Sequence, residues 1–198
     1  MVQSPKHIRS TQIFYHEVII KLCKWYDAKS AEPMSSKEVE MKTPALDFLA
    51  KNKASYKVYE YEADTHDFGK HAAHALNMDE NKVFKTIILN HDKTYVTCIV
   101  PVSGRISLKT AARAVKLKEL QTVDPATAQR VTGYVVGGIS PFGQKRRSIT
   151  ILDESALNQE EILVSAGKRG MSVGMKPQDI ASLLDAVIAD VVEKTSHD

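Results

Sequence analysis

Lys85–Val100 reads KTIILNHDKTYVTCIV: two apolar runs, Lys85–Leu89 and Tyr95–Val100, around the polar stretch Asn90–Lys93. β-Branched and aromatic residues at this density favour strands, and a short polar link between two such runs predicts an antiparallel hairpin. The pattern extends from there in both directions. Upstream, Thr43 is placed to cap a helix that starts at Pro44 and carries Ala45, Leu46, Phe48 and Leu49 on its apolar face. Tyr56–Tyr61 then alternates as a strand and Lys70–Leu76 reads as helix. Downstream, Ser107 is a cap for a helix over Leu108–Val115. Val131–Val136, Ser148–Leu152 and Ile162–Val164 are expected strands, and Lys176-Pro177-Gln178-Asp179 leads into a last helix, Ile180–Ile188. Strands outnumber helices and neighbours are hairpin-linked. The expected fold is therefore α+β, a single domain with a mixed, largely antiparallel sheet, and not a doubly wound one.

The 43% apolar and 26% charged content of the 198 residues is that of an ordinary globular protein. No apolar run reaches the roughly 18 residues of a membrane span, and the N-terminus lacks a secretory pattern, so a cytoplasmic protein without a membrane partner is expected. Residues 1–40 differ from the rest. Ile13–Tyr26 could form a short amphipathic helix, whereas Ala28–Glu40 is linker-like, with Pro33 and Ser35-Ser36. The domain is expected to run from 41 to 192, with 1–40 as an extension, partly helical or disordered, and 193–198 as a flexible tail. Of the two cysteines, Cys23 lies in that extension and Cys98 in an apolar strand, so neither a disulfide framework nor a zinc site is indicated.

Charge is unevenly spread. Residues 82–147 hold twelve Lys/Arg against three Asp/Glu, whereas 148–198 hold four against nine. That asymmetry points to one positive face for a polyanion; a mixed surface that interleaves on folding is the other reading. The basic region ends in Tyr134–Arg147, YVVGGISPFGQKRR. Gly137-Gly138 bares the backbone, which lets it approach a ligand or take positive φ, and Lys145, Arg146 and Arg147 close the segment with three cations. Such a segment suits a ligand bearing phosphate and ribose, or is simply a tight turn followed by a solvated charge run. Lys85, at the entry of an apolar strand, could project into a cleft to bind phosphate or polarise a carbonyl; a lysine snorkelling at the sheet edge is the plainer reading. His66, His71 and His74 with Asp67 lack a completed ligand pattern, so no metal is expected. No nucleophile elbow, Walker loop or dinucleotide fingerprint occurs, and no cofactor is implied.

Lys85-Thr86 before an apolar strand, Gly137-Gly138-Ile139-Ser140-Pro141 with Gly143-Gln144-Lys145, and Gly167-Lys168-Arg169-Gly170 occur in that order after a Met41-Lys42-Thr43-Pro44-Ala45 opening. Together these blocks closely resemble the YbaK/EbsC family, free-standing relatives of the editing (insertion) domain of bacterial prolyl-tRNA synthetase. The resemblance covers about residues 41–192. It implies a mixed, curved sheet flanked by helices and hydrolysis in trans of mischarged Cys-tRNA(Pro), with tRNA(Pro) as partner and prolyl-tRNA synthetase as a second candidate. It places the family's essential lysine on Lys85 and its glycine-loop residues on Gly137, Gly138, Ile139 and Ser140. Lys85 and Gly137 are then the candidate catalytic residues. Tyr61, Phe68, Thr86, Gly138, Ile139 and Ser140 are candidates for substrate binding, and Lys109, Arg113, Lys145, Arg146 and Arg147 for tRNA binding. The family is thought to use the substrate's own thiol as the nucleophile. A non-catalytic tRNA- or synthetase-binding module, a deacylase for another amino acid such as alanine, and a lysine Schiff-base enzyme stay open as alternatives.

Overall fold

The computed structural model describes residues 42–63 and 68–194. The Ile13–Tyr26 segment, Cys23, His66 and Asp67 lie outside the described residues. The chain opens with α1 (Pro44–Lys51), where Thr43 Oγ1 accepts from the Leu46 N–H and donates to the Ala166 carbonyl at 2.6 Å. One hydroxyl thus caps the helix and ties it to a strand 123 residues later. β1 (Lys57–Glu60) and α2 (Phe68–Ala75) follow.

The expected hairpin forms from β2 (Phe84–His91) and β3 (Thr94–Pro101), paired from Phe84↔Pro101 to His91↔Thr94. Asp92 takes the left-handed conformation (φ 50°) that a two-residue turn demands and that Asp tolerates. α3 (Leu108–Ala114), capped by Ser107, lays Ala111 and Ala112 on Leu89, Val96, Cys98 and Val100, and Ile151 and Val191 complete that core. β4 (Gln121–Thr122) pairs beside β2, β5 (Ile149–Asp153) runs parallel to β3, and β8 (Val187–Ala189) runs parallel to β5. The second sheet has the order β1-β7-β6, with β6 (Ile162–Lys168) and β7 (Met171–Met175) forming a hairpin. A parallel bridge, Val83↔Leu163, joins the two sheets. Four of the six strand pairings are antiparallel, so the sheets are mixed and largely antiparallel.

Two expected elements differ. Val131–Val136 is not a strand: α4 (Pro125–Thr132) takes up Val131 and Thr132 as its last turn, and Gly133 ends it at φ 82°. The caps decide this. Asp124 accepts from the Thr127 N–H, Pro125 occupies the first helical position and Gly133 stands one past the end, which together outweigh the β-branched run. The last helix, α5 (Pro177–Leu184), stops at a left-handed Asp185, so Val187 and Ile188 belong to β8 and not to the helix. Among the described residues, no helix is long and apolar enough to cross a membrane.

Candidate active site

The join between the sheets leaves a cavity of about 330 Å³ lined by the first residues of β2, the start of α2, the glycine turn and the β6–β7 hairpin. This lies at the lower end of small-ligand sites. Six of the eight residues singled out as catalytic or substrate-binding line it: Tyr61, Phe68, Lys85, Thr86, Gly137 and Ile139. Gly138 and Ser140 do not. Gly138 is buried, and a Cβ there would stand 3.0 Å from the Arg169 nitrogen and the Lys168 carbonyl carbon. The absence of a side chain there allows close backbone packing. Ser140 is fully buried; its hydroxyl accepts from the Phe142 N–H and its carbonyl from the Gln144 amide.

Residues 140–148 are in fact a plug. Phe142 is fully buried and stacks on Phe48, with ring centroids 6.0 Å apart. Its carbonyl accepts a 2.7 Å bond from the Tyr134 hydroxyl. Gln144 Oε1 accepts from Thr97 Oγ1 at 3.1 Å, and Gly143 sits so close to Pro44 that a Cβ would be 2.2 Å from its carbonyl oxygen. These contacts fix the plug, and with it the turn that precedes it. In that turn the Gly138 N–H is spent on the Val135 carbonyl at 3.0 Å. The N–H groups of Gly137 and Ile139 bond no acceptor among the described residues. Both residues face the cavity. Gly137 takes φ +88°, and a Cβ on it would lie 2.7 Å from the Phe68 ring.

Lys85 is the second residue of β2, in register with Val100. Its ammonium donates to the Gly104 carbonyl at 2.7 Å and to the Val102 carbonyl at 3.4 Å, so it is held in place. The neighbouring Thr86 hydroxyl is, among the described residues, the buried side-chain polar atom left with no hydrogen-bond partner. A buried hydroxyl without a partner costs about 1–3 kcal/mol. On the opposite wall the Tyr61 hydroxyl lies 3.3 Å from Ser172 Oγ, and burial raises the tyrosine's pKa above its usual value, so it stays a neutral hydroxyl.

Sequence reasoning did not single out Ser165 and Ser172, or Arg169 as an individual. Ser165 and Ser172 face the cavity from β6 and β7. Arg169, in the turn between those strands, donates from Nε to the Val136 carbonyl at 2.8 Å and lies over the Phe68 ring at 4.8 Å. β7 is buried throughout, so it lacks the alternation that marks a half-exposed strand. The signal that could have found it is Gly167-Lys168-Arg169-Gly170, a turn sequence between two apolar runs.

The basic residues singled out for tRNA binding line different grooves. Lys109 and Arg113 flank a groove on α3 with Leu117 and Lys118, while Arg146 and Arg147 line grooves with Ser148 and Leu184; the two regions share no residue. Lys145 lines the second region too, and its N–H is tied to the Thr132 carbonyl. Arg146 lies over Tyr95 at 4.8 Å and donates to the Lys93 carbonyl. Tyr95 pairs with Asn90, five residues along β2 from Lys85, which sets Arg146 about 17 Å from the lysine along the strand. His71 Nε2 contacts the Glu62 carbonyl at 2.7 Å, and no cluster among the described residues could hold a metal ion. Cys98 is fully buried in the core, where burial pushes its thiol up to about 12, so it is no nucleophile.

Comparison with known proteins gives a consistent picture. The aminoacyl-tRNA editing domain profile matches residues 62–183. A protein of Enterococcus faecalis (strain ATCC 700802 / V583), provisionally named Cys-tRNA(Pro)/Cys-tRNA(Cys) deacylase EbsC, is 32% identical over 163 residues, covering 81% of this chain and 99% of that protein. A solved structure described provisionally as a trans-editing enzyme for prolyl-tRNA synthetase superposes with a TM-score of 0.70 at 25% identity, over 78% of this chain and 99% of the other. The hypothetical protein APE2540 shares the fold at a TM-score of 0.71 and 18% identity, over 76% of this chain and all (100%) of its own.

Proposed function

The chain belongs to the aminoacyl-tRNA editing domain family, and on that footing we propose that it is a trans-editing deacylase that cleaves the ester of mischarged Cys-tRNA(Pro). One observation carries the reading: a single cavity gathers a fixed lysine, an unpartnered threonine hydroxyl and two unbonded backbone N–H groups. Its serines are not activated in the way a nucleophile requires. The Ser172 hydroxyl meets Tyr61 and that of Ser165 accepts from the Gly167 N–H, with no His, Asp or Glu bonded to either.

In this reading the terminal adenosine and its aminoacyl ester occupy the cavity beside Lys85 and the Gly137 turn. The cysteinyl thiol attacks the ester carbonyl. A sulfur–carbon bond forms, the bond from that carbon to the ribose oxygen breaks, and the thiol proton ends on the departing hydroxyl. Water then opens the thiolactone to free cysteine. Tethering supplies the nucleophile at high effective concentration, so the protein need only orient it. The Gly137 and Ile139 N–H groups stabilise the developing oxyanion, and Lys85 adds fixed positive charge at the cavity wall. Thr86 gives the ester or ribose a hydrogen-bond partner. Serine would react poorly by this route, because a hydroxyl is a far weaker nucleophile near neutral pH. tRNA(Pro) is the substrate carrier in this account, and prolyl-tRNA synthetase a candidate supplier of it.

S-methylcysteinyl-tRNA(Pro) tests the thiol route. The account expects rapid hydrolysis of Cys-tRNA(Pro) and almost none of the methylated ester. Equal rates would show that an activated water, and not the substrate's sulfur, attacks.

A further inference from the structure

Arg169 is not among the cavity-lining residues, yet its contacts converge on the cavity wall. It sits in the β6–β7 turn between Gly167 (φ +94°) and Gly170 (φ +76°). From there Nε donates to the Val136 carbonyl at 2.8 Å, and the guanidinium covers the Phe68 ring at 4.8 Å. Phe68 in turn presses on Gly137 so closely that a Cβ on the glycine would stand 2.7 Å from the ring. The same turn abuts Gly138 through the Arg169 backbone and accepts the Tyr61 N–H on the Gly170 carbonyl at 3.0 Å. Glycine turn, aromatic wall and Tyr61 therefore all take their position from one hairpin tip.

We propose that Arg169 is a positioning residue for the deacylation: it clamps the Val136–Gly137 peptide against Phe68 and so holds the oxyanion-donating turn in its reactive geometry. The proposal rests on the deacylase reading above. The physical case is that a planar guanidinium can stack on a ring and donate from its edge at once, whereas an ammonium on a flexible stem can do only one of these well. Lysine at this position therefore keeps the charge but loses the clamp. Because the clamp acts on the turn, its loss should appear in kcat more than in KM.

The test uses the full chain and the variants Arg169→Ala, Arg169→Lys, Phe68→Leu and Arg169→Ala with Phe68→Leu, assayed on Cys-tRNA(Pro). Arg169→Ala and Arg169→Lys should both lower kcat by about ten-fold or more with KM changed by less than about three-fold, as expected when a reacting geometry loosens. The double variant should be little worse than either single one, since both residues support the same turn. Rescue by Arg169→Lys, or a loss confined to KM with a shallower salt dependence, would show instead that Arg169 merely attracts phosphate and would overturn the proposal. Additive effects in the double variant would overturn it as well. Amide hydrogen exchange gives a readout independent of activity. Arg169→Ala should speed exchange at Gly138, whose N–H is bonded to the Val135 carbonyl, while the β2–β3 core keeps its protection, and unchanged exchange at the turn would contradict the clamp. A wild-type chain that deacylates no charged tRNA, yet shows the exchange change, would refute the deacylase reading and leave the clamp standing.

Discussion

The Lys85 ammonium donates a 2.7 Å hydrogen bond to the Gly104 carbonyl, so the same side chain that brings charge to the cavity also pins the turn after β3. A lysine with two such duties is not a solvated edge residue. Lys85→Ala is expected to lower single-turnover deacylation by about a hundred-fold or more, the scale of losing a group that stabilises developing charge. It should also cost about 1–3 kcal/mol of stability, because the carbonyls lose a charged donor. A folded Lys85→Ala chain with wild-type turnover, measured alongside a melting curve, would remove Lys85 from the chemistry.

Gly137 and Gly138 are adjacent and do different things. Gly137→Ala meets a left-handed φ of +88° and the Phe68 ring at 2.7 Å, so it should distort the cavity as well as lower the melting temperature. Gly138→Ala drives a Cβ to 3.0 Å from the Lys168–Arg169 backbone, so it should lower the melting temperature with less effect on kcat. Comparing kcat and melting temperature for the two variants checks this; a larger activity loss without destabilisation in Gly138→Ala would reverse the assignment.

How much of this was legible in the sequence follows from where each signal resides. The β2–β3 hairpin, α1 with Thr43 and α3 with Ser107 were readable because strand alternation and caps are local. That Lys85 and Gly137 would share a cavity came from the resemblance, not from spacing alone. Val131–Val136 misled because its β-branched residues straddle a helix end, and only the Asp124-Pro125 and Gly133 punctuation reveals the boundary. The resemblance placed Ser140 among the substrate contacts, whereas Phe142 draws that segment into the core. No local pattern brings Arg169 onto Phe68: that contact spans two elements and exists only once the hairpin has folded.

Alkaline conditions should expose the buried Tyr134 hydroxyl and Cys98 thiol. Burial first, and Asp47 second, push Tyr134 up to about 12, and burial alone pushes Cys98 up to about 12. Both folded values are raised, so their contribution is fully present below the unfolded values of 10.0 and 9.0 and is lost as pH rises toward 12. Urea midpoints should be flat from pH 7 to about 9 and then fall. Tyr134→Phe should lose about 1 kcal/mol at pH 7, with its bond to the Phe142 carbonyl, and show a shallower alkaline fall. An unaltered alkaline slope would place the titration elsewhere.

On the proposed reading Arg146, about 17 Å from Lys85 along the strand, and its neighbour Arg147 would meet the tRNA outside the cavity that takes the ester. Replacing both with alanine should weaken tRNA binding and flatten the log–log salt slope by up to about two units, with little change in the rate at saturation. Lys109→Ala with Arg113→Ala, on the separate α3 groove, measures that surface independently. A collapse of the saturated rate in the Arg146/Arg147 variant would put one of these arginines at the reacting ester.

Residues 1–40 lie outside the described residues and outside the match at 62–183. A chain starting at Met41 keeps the Thr43 cap and its bond to Ala166, so it should retain activity and melting temperature. Aggregation, or a loss of several degrees, would show that the preceding segment is docked on the domain.

Single-turnover hydrolysis of Cys-, Ala- and Ser-tRNA(Pro), side by side with the purified full chain, tests the central claim most directly. The account predicts fast release of cysteine and rates for alanine and serine close to spontaneous hydrolysis, since neither carries a thiol to attack its own ester. Release of alanine or serine as fast as cysteine would contradict it, as would a cysteine ester left intact at saturating protein.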